Sequence, residues 1–129
     1  MTGQTVAINF PPQRIVSLVP SQTELLYDLG LDKEVVGITK FCVHPNEWFR
    51  SKKRVGGTKT VHIDIVKSLQ PDLIIANKEE NTEEIVAEMR QIAPVWVSNI
   101  VTIDDVIAMM HVFSLIAEIS GTLIFLNLS

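Results

Sequence analysis

Only one cysteine, Cys42, stands in the 129 residues, so no intramolecular disulfide can staple this chain and its stability must come from packing. Basic residues are also scarce: 11 Lys and Arg against 15 Asp and Glu leave a formal charge of −4, and the single cluster is Lys52-Lys53-Arg54. A nucleic-acid partner, whose phosphates demand a basic footprint, is therefore not expected. No phosphate loop of the G-x-x-x-x-G-K-[ST] type is present, and Gly56-Gly57 is no more than a glycine pair. A G-x-S-x-G nucleophile elbow is missing too. The apolar stretch Leu123-Ile124-Phe125-Leu126 is far too short to cross a bilayer. Met1 to Phe10 has neither the basic start nor the apolar centre of a signal peptide, so the chain reads as cytoplasmic if Met1 is the native start.

What is present is a sequence able to bury one core, with 47% hydrophobic and 20% charged residues. Ile15-Val16-Ser17-Leu18-Val19 suits a buried strand, and Pro20 ends it because proline cannot donate to a ladder. Ser21 then reads as an N-cap and Glu24 as the far member of a capping box for a helix from about Gln22 to Leu29, closed by Gly30. A second strand is expected over Glu34 to Ile38, a short helix over Asn46 to Lys53, a turn at Val55-Gly56-Gly57-Thr58 and a helix over His62 to Leu69. Leu73-Ile74-Ile75-Ala76 is the most strand-like run. Thr82 caps a helix whose Ile85, Val86, Met89 and Ile92 share one face, and Val95-Trp96-Val97 makes a fourth strand. Asp104 to Ile119 is the longest predicted helix. Strands alternating with helices through short loops predict βαβ units, hence an α/β, Rossmann-like three-layer lobe with a mainly parallel four-stranded sheet.

In an open parallel sheet, ligands sit beyond the carboxyl ends of the strands. That rule directs attention to Pro20-Ser21-Gln22-Thr23, to His44 in the loop leaving the second strand, to Gly56-Gly57-Thr58, and to Asn77-Lys78 with Glu79 and Glu80. His44 is a candidate metal ligand toward iron or cobalt, and its plainer reading is an exposed or helix-capping histidine. Cys42 and His44, two apart on extended backbone, could form a thiolate dyad, but no third orienting group accompanies them. Trp48 and Trp96 suit core packing as well as a cleft wall. Glu47, near a helix start, is either a favourable dipole partner or a docking charge.

The segments Pro12-Gln13-Arg14-Ile15-Val16-Ser17-Leu18, Pro20-Ser21-Gln22-Thr23-Glu24-Leu25-Leu26, Val35-Val36-Gly37-Ile38, Val55-Gly56-Gly57 and Ile65 to Ile75 resemble, in order and spacing, the helical-backbone periplasmic binding proteins of ABC importers. This is the family of cobalamin, ferric siderophore and haem receptors. The resemblance implies two α/β lobes joined by a long helix, with residues 1–100 the amino-terminal lobe and 101–129 the start of that helix with an atypical tail. A second lobe has no counterpart here, which suits a truncated, frameshifted or excised piece.

It also implies an extracytoplasmic location, a small metal-containing ligand, an ABC permease as partner with Glu47 as the docking residue, and no catalytic cofactor. The ligand-binding residues expected on that basis are Pro20, Ser21, Gln22, Thr23, Phe41, Cys42, His44, Gly57, Thr58, Lys59, Asn77 and Lys78. Capture without chemistry is the leading expectation. The rivals are a small α/β enzyme using Cys42 and His44, and a non-binding module that self-associates through the connecting helix and tail.

Overall fold

The computed structural model describes residues 12–98 together with His111 and Leu115. Nine elements follow in order: β1 (Ile15–Ser17), α1 (Pro20–Asp28), β2 (Val35–Ile38), α2 (Asn46–Ser51), β3 (Lys53–Arg54), α3 (Ile63–Leu69), β4 (Leu73–Asn77), α4 (Glu83–Arg90) and β5 (Val95–Ser98). All five strands run parallel, in the order β3-β2-β1-β4-β5. The order reverses between β1 and β4, the kind of switch point at which a crevice opens in such sheets.

Alternation along the central strands divides the core into two layers. Ile15, Leu73 and Ile75 pack with Leu26, Leu29, Leu31 and Trp48 on one face. Val16, Ile74 and Ala76 pack with Val66, Ile85, Val86 and Met89 on the other. The first layer belongs to α1 and α2, the second to α3 and α4, which gives the expected three-layer arrangement. At the amino end of the sheet, Asp72 accepts the backbone N–H groups of Gln13 at 2.8 Å and Arg14 at 2.9 Å, tying the entry of β1 to that of β4.

Several local expectations hold for identifiable reasons. Gly30, with φ of 76°, follows α1 as its left-handed terminator. Its N–H donates to Tyr27 O at 2.9 Å and that of Leu31 to Leu26 O at 3.2 Å, a Schellman closure with Leu31 packed near Leu26. Thr82 caps α4 by accepting the N–H of Ile85 at 3.2 Å.

Three expectations are corrected. Ser21 is not an N-cap: Val19 holds the extended cap position and makes no side-chain cap bond, Pro20 occupies the first helical turn, and Ser21 lies inside the helix. Proline's fixed φ suits that first turn, so the helix begins two residues early. The short helix stops at Ser51, and Lys53–Arg54 forms a fifth strand pairing with Gly37 and Ile38. Its two side chains are exposed, as charged residues on a sheet edge should be. The strand expected from Glu34 starts at Val35. The predicted helix over Asp104 to Ile119 falls outside the described residues except for His111 and Leu115, which are helical and exposed. The tail from Leu123 lies outside them altogether.

Candidate functional site

The carboxyl ends of β1, β4 and β5 carry a buried polar layer. Ser17, Asn77 and Ser98 occupy the strand positions that face α1, and Gln22 and Thr23 reach down to them from the first turns of that helix. Thr23 Oγ1 lies 2.8 Å from Ser17 Oγ, 2.9 Å from Val19 O and 3.2 Å from Cys42 Sγ. Thr39 Oγ1 also lies 3.2 Å from that sulfur. Gln22 Nε2 donates to Ser98 Oγ, which accepts from Asn77 Nδ2 at 3.2 Å and donates to Ala76 O at 3.3 Å. Gln22 Oε1 is buried and has no hydrogen-bond partner among the described residues.

An open hollow of about 440 Å³ is lined by Lys40, Phe41, Gly57, Thr58, Lys59, Thr60 and Glu80. It is built by the exits of β2, β3 and β4 converging on one edge. Phe41 is 54% exposed, an unusual place for a phenyl ring, and the Lys40 ammonium stands 5.3 Å from its centroid. A Cβ on Gly57 would come within 3.3 Å of Phe41 Cε2, so the missing side chain is what lets the ring settle against the β3 exit. Gly56 has φ of 108° and bridges to Val61, folding the segment back so that Gly57 N–H donates to Thr60 O at 2.9 Å. Two lysines and one carboxylate face an apolar ring, which suits a ligand with a flat apolar part and negative charge at its rim.

The β4 exit is held by two buried asparagines. Asn77 Oδ1 accepts the N–H groups of Glu79 at 2.7 Å and Glu80 at 3.2 Å, closing the turn that presents Lys78, Glu79 and Glu80 to the surface. Asn81 is buried, with its Nδ2 2.9 Å from Thr58 O and 3.4 Å from Leu18 O.

His44 stands elsewhere. With Glu24, Tyr27, Asp28 and Pro45 it lines a smaller hollow of about 220 Å³ on the α1 side. Tyr27 donates its hydroxyl proton to Glu47 Oε1, and its ring meets buried Trp48 edge-on at 5.3 Å and 87°. Trp48 Nε1 in turn donates to Asp32 Oδ1 at 2.7 Å. The Glu47 carboxylate raises the Tyr27 pKa above its ordinary 10.0, first through that hydrogen bond and then through its charge. Among the described residues no three His, Cys, Asp or Glu side chains are grouped to hold a metal ion.

Of the ligand-binding residues expected from the sequence, the structure brings Phe41, Gly57, Thr58 and Lys59 together around one hollow. Gln22, Thr23, Cys42 and Asn77 are buried, and of these Asn77 holds the turn that follows β4. Ser21 and Lys78 are exposed and Pro20 half-buried, outside the lining of that hollow. Cys42 is buried against Thr23 and Thr39, whereas exposed His44 lines a hollow on the α1 side of which Cys42 is no part. Thr60 and Asn81 escaped the sequence reading. Asn81 carried one faint signal, an amide wedged between a charged turn and a helix cap.

A family model described as periplasmic binding protein matches residues 15–111. The vitamin B12-binding protein of Vibrio cholerae is 32% identical over 107 residues, which are 82% of this chain and 38% of that protein. The uncharacterised ABC transporter substrate-binding lipoprotein YvrC of Bacillus subtilis is 42% identical over 77 residues, 60% of this chain and 24% of that protein. The chain thus spans less than half the length of these curated relatives. Among solved structures, the periplasmic vitamin B12-binding protein BtuF of Vibrio cholerae superposes with a TM-score of 0.74 at 28% identity, covering 85% of this chain and 46% of that one. The iron uptake substrate-binding protein PiuA of Streptococcus pneumoniae gives the same TM-score of 0.74 at 23% identity, a likeness of fold, over 86% of this chain and 40% of that one. With the parallel order, the loop-built hollow and a family match running from β1 beyond β5 all in agreement, the chain belongs to the periplasmic binding protein family.

Proposed function

We propose that this chain is the amino-terminal ligand-binding lobe of the substrate-binding component of an ABC importer, capturing an iron complex or cobalamin without chemical change. The observation that carries this reading is the hollow of about 440 Å³ where three strand exits meet, with an exposed phenyl ring and two lysines at its rim. Such a surface makes half of a cleft. Closure by a second lobe would bury the other side of the ligand, and one lobe alone would bind more weakly because much of the ligand stays wet.

In this reading residues 1–100 form the lobe and 101–129 begin the inter-lobe helix. Glu47, exposed at the start of α2 and steadied by Tyr27, is the contact offered to a permease, and the protein works outside the cytoplasm. The burial of Cys42 against Thr23 and Thr39 supports capture over catalysis. Relatives named for vitamin B12 and for iron uptake support a metal-containing ligand.

Titration of the purified chain with cyanocobalamin, haemin and a ferric catecholate, followed by absorbance and calorimetry, tests the proposal. Saturable binding that Lys59→Glu or Phe41→Ala weakens is expected. Failure of all three probes to bind either this chain or a chimera completed with the second half of the Vibrio cholerae relative would overturn it.

A further inference from the structure

We infer that Asn81 is the positioning residue of this ligand edge: its buried amide clamps the β3 exit to the β4 and β1 exits, and so sets the hollow's shape before any ligand arrives. The inference rests on reading that hollow as the ligand site. Asn81 is 4% exposed, although it directly follows the exposed run Lys78-Glu79-Glu80. Both protons of its amide are used, one toward Thr58 O at 2.9 Å and the other toward Leu18 O at 3.4 Å. Its Oδ1 accepts the N–H of Asn77 at 2.9 Å, and its own N–H donates to Asn77 O at 2.9 Å.

One side chain therefore spans three loops that lie far apart in sequence, and only an amide of this length supplies two donors and an acceptor together. Aspartate keeps the acceptor and loses both donors. Leucine keeps the volume and loses everything polar. Glutamine places the same groups one methylene too far.

The consequence is a division of labour between two asparagines. Asn77 shapes the turn that sets Glu80 on the rim, and Asn81 pins Thr58, so that Thr58, Lys59 and Glu80 hold fixed relative positions around Phe41. A ligand entering a pre-set hollow loses less free energy to loop ordering than one that must gather the loops itself.

The test uses amide hydrogen exchange resolved by residue. In Asn81→Asp the substituted carboxyl faces the two carbonyl oxygens of Thr58 and Leu18, so its pKa rises above the ordinary aspartate value of about 3.9. The ionisable side chains of the elements packed there, Lys59 on the β3 exit, Lys78, Glu79 and Glu80 on the β4 exit, and Glu83 and Glu84 opening α4, are all exposed. At neutral pH, exchange at Gly57 should quicken about tenfold relative to the unsubstituted chain, the factor for losing one charge-free clamp bond. Amides of β1 and β4 should be unaffected. As pH falls through the raised pKa, the protonated carboxyl can again donate to Thr58 O but not also to Leu18 O, and the difference from the unsubstituted chain should shrink. Asn81→Leu should loosen the same amide at every pH.

Equal quickening in the loop and the core strands, with no rescue at low pH, would reduce Asn81 to an ordinary packing residue and overturn the inference. In the unsubstituted chain, the Asn81 side-chain amide protons should exchange far more slowly than those of exposed Gln91, and equal rates would also overturn it. Binding of whichever of cyanocobalamin, haemin or the ferric catecholate is captured should weaken about tenfold in Asn81→Asp, chiefly through faster release. If none of the three is captured, the functional reading fails while the exchange measurements still decide the role of Asn81.

Discussion

Replacing Gly56 by alanine should destabilise the fold more than any other single methyl addition around the hollow at the β2, β3 and β4 exits. The residue sits at φ of 108°, a conformation that L side chains rarely adopt, and enforcing it costs about 1–3 kcal/mol. The new Cβ would also lie 2.5 Å from Thr60 O and 2.9 Å from His62 Cδ2. The first of these is backbone, so the turn must open to relieve it, at a further cost of about 1–3 kcal/mol. Reduced freedom of the unfolded chain returns about 0.4–1 kcal/mol, leaving a net loss of about 1–5.5 kcal/mol. Against a typical total of about 5–15 kcal/mol this is a large fraction. Gly57→Ala is the matched control, since its φ lies outside the left-handed region and its Cβ would meet only the far ends of Phe41 at 3.3 Å and Lys40 at 3.5 Å. It should cost less than about 1 kcal/mol. Urea unfolding followed by the fluorescence of Trp48 and Trp96 reads both. With a slope of about 1.5 kcal/mol/M, Gly56→Ala should move the midpoint down by about 0.7–3.7 M with the slope unchanged. A midpoint within about 0.3 M of the unsubstituted protein, or a larger loss from Gly57→Ala, would refute the reasoning.

Other substitutions probe the remaining parts of the fold. Tyr27 is the only tyrosine in the chain, so ultraviolet difference absorbance reports it alone; its ionisation should fall above pH 10.0, and Glu47→Gln should bring it back toward that value. Because the folded-state pKa is raised, the associated stability is present below the ordinary value and disappears as pH climbs through the raised one; an ionisation unmoved by Glu47→Gln would rule out the pairing. Thr82→Ala should lose about 1 kcal/mol by uncapping α4, and Thr82→Ser should retain most of it, with thermal unfolding as the measure. Gln22→Met should change stability by less than about 1 kcal/mol, because one of its two polar atoms is already without a partner. Ser98→Ala strands the buried amides of both Gln22 and Asn77 and should cost about 1–3 kcal/mol; the reverse ranking would contradict the polar layer described here.

Local patterns carried much of the architecture. The apolar run at Leu73 to Ala76, the face of Ile85, Val86 and Met89, Thr82 as cap and Gly30 as terminator act through near neighbours in the chain, so their sequence is enough to place them. β3 escaped because its two charged residues carry no strand pattern, and only pairing with Gly37 and Ile38 makes them a strand. Ser21 misled because serine and proline both suit a helix start, and their order decides which of them leads.

At the site the limits of sequence are sharper. Loop position and the family resemblance together singled out Gln22, Thr23, Cys42 and Asn77 with Phe41, Gly57, Thr58 and Lys59. Which of them face outward depends on strand parity and helix phase against the opposite layer. Asn77 shares the face of Leu73 and Ile75, and Gln22 and Thr23 share the buried side of α1 with Leu26, so these polar groups point inward. Sequence by itself determined the α/β order and the loops that gather at the carboxyl ends of the strands, because both follow from short-range periodicity and turn chemistry. The tertiary structure alone decided which loop side chains form the hollow and that Asn81 ties them together, because hydrogen bonds spanning 23 and 63 residues exist only once the sheet has assembled.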